Sequence, residues 1–341
     1  MNRRDILKVG AALASPLAQA QSASHVGTAE VHFLTAGEGA AALTEGAEAA
    51  YFERMNLLEI RARLHGGADW PSLQAARQAA RRFEASKVQS FSDDECAAIR
   101  DIVERLQPRL ASRAPLYART PWSFVKLGDD AEGGMPHTRG RHLVLPAKLV
   151  EVIARRARAT NPLAPPRFGD LLVHEQTHVL QRLAPARFEP LFIDVLGFVR
   201  APTPPTSPAL ARCLVQNPDA PDLSWVFPLD KLGGKGWIMP ATVLPTDKAA
   251  PKMPQDFQAV AVELAREGGE WKVVDDAGQP RLRQLAQVPG YDAYFPYADE
   301  DIHPNEIAAV ALSHWILQDD PQLAQRPRME ALAAWARGAL A

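Results

Sequence analysis

Residues 171–182 read LLVHEQTHVLQR, and the fold has to be built around this stretch. His174, Glu175 and His178 sit among Leu171, Leu172, Val173, Val179 and Leu180. Ionisable side chains in such a setting are costly to desolvate unless something pairs with them. The apolar neighbours predict a helix over 171–183 that is set into a core, not one lying in solvent. On a helix, positions i and i+4 stand one turn apart on the same face, so His174 and His178 can present two imidazole nitrogens to one ion. Glu175 is about 100° round from His174, able to reach a water held by that ion without ligating it. His-Glu-x-x-His on a helix is the pattern of zinc hydrolases, and chance supplies it to about one chain of this length in a hundred. Zinc favours neutral imidazole, takes about four ligands and keeps one position for water in catalytic sites.

A catalytic ion needs a third protein ligand. Residues 299–309 read DEDIHPNEIAA. Pro304 suits the first position of a helix, which puts Glu306 in the first turn of a helix predicted over Pro304–Leu317. An acid there is also ordinary helix-dipole chemistry. His303, three residues earlier, is the alternative ligand. A hydrolase also needs a donor for the developing oxyanion. Tyr291, Tyr294, Tyr297, His303 and His314 are near Glu306 in sequence, and Tyr297, His303 and His314 are the candidates, although aromatic-rich loops more often pack than react.

Elsewhere the pattern is mixed. Apolar spacing predicts helices over 44–64 and 71–83, and Ser92-Asp93-Asp94-Glu95 is a capping box opening a helix to about Leu110. Trp122–Leu127 and Arg141–Leu145 read as strands around a Gly-rich turn, followed by an amphipathic helix over 146–156. A short apolar helix over 188–196 precedes a proline-dense break at 201–208. Strands are expected at 224–229, 237–244 and 271–274, and helices at 304–317 and 321–340 close the chain. The expected class is α+β. The expected organisation is an N-terminal helical region at 21–113 and a catalytic domain at 114–341 carrying a β-rich insertion at about 201–290.

The 341 residues carry 38 Lys and Arg against 40 Asp and Glu, a net charge of −2 that gives nucleic acid or an anionic membrane surface no purchase. Residues 1–20 read as an export signal peptide. Arg3-Arg4-Asp5-Ile6-Leu7-Lys8 resembles the twin-arginine motif, and Ala18-Gln19-Ala20 is a cleavage pattern. The expectation is a protein exported to the periplasm, or secreted, by a bacterium, with no membrane span in its mature part. Cys96 and Cys213 are the two cysteines, and an oxidising compartment leaves a bond between them or two free thiols equally open.

Asn305-Glu306-x-x-Ala309 downstream of His174-Glu175-x-x-His178 resembles the gluzincin type of zincin-like metallopeptidase. His137-Thr138-Arg139-Gly140, Gly197-Phe198 and Asn217-Pro218-Asp219 keep the order seen in poorly characterised exported bacterial members. The resemblance covers roughly 120–317. It implies a zincin-like fold with a small mixed sheet, an active-site helix and a C-terminal helical part. It also implies zinc held by His174, His178 and Glu306, and a water activated with Glu175 as general base. A peptide or protein substrate follows, a cell-wall peptide among the options. In zincins the strand before the metal helix commonly forms the sheet edge, and Arg141–Leu145 is placed for that by chain order, ready to pair with an extended substrate. His137 and His142 flank its start, with surface placement expected for both. The alternative is a zinc- or peptide-binding protein without turnover, which would have no need of Glu175.

Overall fold

The computed structural model describes residues 29–66, 69–158, 166–295, 302–317, 322 and 325–341. The export signal and Tyr297 lie outside the described residues. The chain is mixed α+β, built on two main sheets.

The first sheet is formed by Val31–Phe33 (β1), Val88–Gln89 (β2), Trp122–Leu127 (β3), His137–Arg139 (β4) and His142–Pro146 (β5). β3 lies at its centre. β1 runs parallel to its first half, β2 antiparallel to its last two residues, and β5 parallel on its other side. β4 pairs antiparallel with β5 and forms the edge. Strand alternation divides the sheet's side chains between two faces. Phe124, Leu143 and Leu145 point to the main core, packed against helices Asp93–Arg113, Ala147–Arg158 and Pro166–Leu183. Val125 and Val144 point the other way, onto helices Ala36–Thr44 and Leu73–Lys87. The first of these comes so close that a Cβ on Gly39 would meet Val88 Cγ1 at 2.7 Å and Val125 Cγ1 at 3.1 Å.

Three expectations are corrected here. The strand preceding the metal helix, β5, is not the edge, because it pairs on both sides; the three-residue β4 takes that place. The helix expected over 44–64 is two short ones, Ala49–Arg54 and Leu57–Arg63, separated from the preceding Ala36–Thr44 helix by Gly46 at φ +56° and from each other by Asn56, which caps the last by accepting from Glu59 N. The final helix starts at Met329 rather than 321. The capping box at Ser92 and Glu95 forms with both of its hydrogen bonds, and its helix continues to Arg113.

Because β1 and β2 come from before residue 114, the first sheet crosses that position. The second sheet is antiparallel throughout. It comprises Val199–Arg200 (β6), Trp225–Pro228 (β7), Trp237–Val243 (β8), Gln258–Glu267 (β9) and Glu270–Val273 (β10), with Leu282–Gln284 also on β9. It encloses a small core of its own around Val226, Met239 and Val262, in which Cys213 is buried; Cys213 and Cys96 are both free thiols. Between β6 and β7 the chain leaves the second sheet and brings Asn217, Asp219 and Asp222 to Glu306, Thr138 and His303. No described helix is long and apolar enough to cross a membrane.

Candidate metal centre

Helix Pro166–Leu183 carries His174 and His178 on one face, and helix Pro304–Leu317 packs against it with Glu306 in its first turn. The two His Nε2 atoms stand 3.1 Å apart, and Glu306 Oε2 is 3.3 Å from each. All three side chains are buried. Four ligands placed tetrahedrally at the usual zinc distances lie about 3.3 Å from one another. The three atoms therefore already form one face of such a tetrahedron, and the donor set suits the ion.

Neighbouring groups orient the ligands. Gln181, one turn past His178, accepts from His178 Nδ1 through Oε1 at 2.8 Å. An amide oxygen only accepts, so Nδ1 carries a proton and Nε2 is the nitrogen left facing the triangle. The amide nitrogen of Gln181 donates to Asn305 O at 3.0 Å, tying the two helices together beside the site. Asn217 Nδ2 donates to Glu306 Oε1 at 2.8 Å and turns Oε2 towards the histidines. Burial works against a charge on His178, but the Glu306 and Asp219 carboxylates outweigh it and push its pKa up to about 9. Without a metal the site thus holds a proton in a pocket of negative charge.

Glu175 is fully buried, and its Oε2 accepts from Thr138 Oγ1 at 3.0 Å. Its carboxylate, the His178 ring and Asp219 form a second group of metal-capable atoms within 4.8 Å of one another. Asp219 Oδ1 accepts from Thr138 N at 2.6 Å. Arg182 Nη2 donates to Thr138 O at 2.9 Å and also to Pro218 O.

The remaining candidates go elsewhere. His303 belongs to neither group: its Nε2 donates to Asp222 O at 2.7 Å and its Nδ1 accepts from Asn305 N at 3.1 Å. Burial holds it neutral, lowering its pKa to about 4. Its role is to pin the 219–222 segment to the start of the Glu306 helix. His314 is two turns, about 12 Å, further along that helix and is in neither group. Tyr291 is buried against Phe227 and Phe295, and Tyr294 lies under Arg328, so both of these tyrosines pack. His137 is buried on β4 rather than placed at the surface, while half-buried His142 meets Ser123 Oγ at 2.8 Å. Thr138, Gln181, Arg182, Asn217 and Asp219 are the residues to which the sequence reading assigned no role. Gln181 and Arg182 have a local signal, since i+3 and i+4 from His178 are facing positions on a helix.

No family model matches this chain, and neither a curated protein nor a solved structure matches it.

Proposed function

We propose that the chain is a zinc-dependent hydrolase of peptide or related amide bonds on a gluzincin-like scaffold, acting after export to the periplasm. The observation that carries this reading is the triangle of His174 Nε2, His178 Nε2 and Glu306 Oε2, with sides of 3.1–3.3 Å. A metal-only role would be served by the triangle alone. Glu175, buried beside it and aimed by Thr138, is what favours turnover.

Zinc in this site would lower the pKa of a water towards neutrality and polarise a carbonyl. The chain's own residues do the rest. Glu175 accepts the water's proton and later returns it to the leaving amine. Thr138, donating to Oε2, fixes the plane of that carboxylate so that the proton moves over a constant distance. Gln181 and Asn217 hold the ligand atoms, and the surrounding burial excludes bulk water, which strengthens every charge interaction inside.

The test measures bound zinc and hydrolysis of a mixed peptide library for wild type, Glu175→Gln and Glu306→Ala. Glu175→Gln is expected to keep its zinc and lose turnover by about 10²–10⁴-fold. Glu306→Ala is expected to lose zinc. Turnover that survives in Glu175→Gln would sink the mechanism, and unchanged zinc affinity in Glu306→Ala would remove the third ligand.

A further inference from the structure

An edge strand takes an extended substrate through the main-chain groups that point away from its neighbour. β4 has three residues, and pairing alternates along an antiparallel ladder. Thr138 is the residue whose N–H and C=O point outwards, and both are already bonded. Asp219 Oδ1 takes the N–H, and Arg182 Nη2 serves the C=O. The capping groups are themselves anchored. Asp219 N donates to Asn217 Oδ1 at 2.9 Å, Asn305 Nδ2 donates to Asp219 O at 3.0 Å, and Arg182 also holds Pro218 O. Thr138, Asp219 and the neighbouring Arg139 are each at most 1% exposed. Adding a strand here would break the two hydrogen bonds to Thr138 and displace two side chains held in a buried network.

One donor in the cap remains unused. Arg182 Nη1 is buried and has no hydrogen-bond partner among the described residues. A buried guanidinium N–H without an acceptor is unfavourable, and a charged donor of this kind suits a carboxylate oxygen. Since Nη2 is spent on Thr138 O, Nη1 lies beside the outer edge of β4, one helical turn beyond His178.

Resting on the zinc-hydrolase reading, we infer that the site takes a short peptide or amide by its end, with the substrate's free carboxylate at Arg182. The interior of an extended polypeptide is not its substrate.

The test uses the zinc-loaded full chain and three probes: short peptides with a free C-terminal carboxyl group, the same peptides amidated, and long internally quenched peptides blocked at both ends. The free acids are expected to be cut at least about tenfold faster than the amides, and the blocked peptides not at all. Arg182→Gln is expected to erase the difference between acid and amide while retaining zinc. Blocked peptides cut as well as free acids would overturn the inference, and so would equal rates for acid and amide, or zinc retained with no probe cut. Should Arg182→Gln fail to fold, the comparison of acid with amide on wild type decides alone. Failure of the underlying reading is distinguishable: wild type would bind no zinc, or Glu175→Gln would leave cleavage intact.

Discussion

Gln181 and Asn217 are uncharged, touch no ion themselves, and yet set where the ligand atoms point. Replacing Gln181 with Leu removes the acceptor that holds the proton on His178 Nδ1. A zinc competition titration is expected to show affinity reduced about 10–100-fold, the usual range for partners of metal-ligating histidines. Thr138→Val leaves the ligands alone and frees the Glu175 carboxylate to rotate; turnover should drop with zinc content unchanged. The His178 proton gives a pH signature. Its pKa, about 9 in the metal-free fold, is above the ordinary 6.5. The fold therefore binds this proton more tightly than the unfolded chain does. That contribution to stability is complete below pH 6.5 and is lost as pH rises through 9. Zinc and the proton compete for the same nitrogen, so the gap in Tm between zinc-loaded and metal-free protein should widen from pH 6.5 to 9. A gap that narrows over this range would contradict the assignment.

At the scale of elements, legibility follows length and period. The metal helix is readable because its apolar spacing and motif agree, and the Glu306 helix because Pro304 marks its start. The capping box at Ser92 works for the same local reason. What escapes the sequence is β4, since three residues carry no measurable alternation and all of them, His137, Thr138 and Arg139, are polar yet buried. Arg139 is there because partners 55 to 96 residues distant meet it: Glu48 at 2.9 Å, Glu84 at 3.0 Å and Leu43 O at 2.7 Å, with the Tyr51 ring 3.8 Å away. No local pattern encodes such a network. Arg139→Met would leave the Glu48 carboxylate without its ion-pair partner and Glu84, whose pKa burial pushes up to about 8, without its donor. Breaking a buried pair in this way costs about 3–5 kcal/mol, to be read from urea unfolding monitored by tryptophan fluorescence. A loss below about 1 kcal/mol would place the pair among the weak surface bridges.

On the scale of the molecule, the candidate site joins segments that chain order keeps far apart. Glu306 follows His178 by 128 positions, and the second sheet, inserted between them, returns Asn217 and Asp219 to the metal helix. The N-terminal helices complete the arrangement. Glu59 accepts from Gln216 N at 2.9 Å and Arg63 donates to Gln216 O at 3.1 Å, clamping the residue before Asn217. Thus the N-terminal helices hold the segment whose Asn217 meets the Glu306 carboxylate, and a ligand binding between that carboxylate and the two histidines stabilises the whole arrangement. Zinc at 100 times its Kd is expected to add about 2.7 kcal/mol to the folding free energy, seen as a higher Tm in wild type and no shift in Glu306→Ala. The central claim, that His174, His178 and Glu306 hold one zinc, is met most directly by X-ray absorption at the zinc edge of the purified full chain. About one zinc per chain is expected, with two imidazole nitrogens and oxygen ligands at about 2.0–2.2 Å. A first shell without imidazole, or one unaltered by Glu306→Ala, would contradict it.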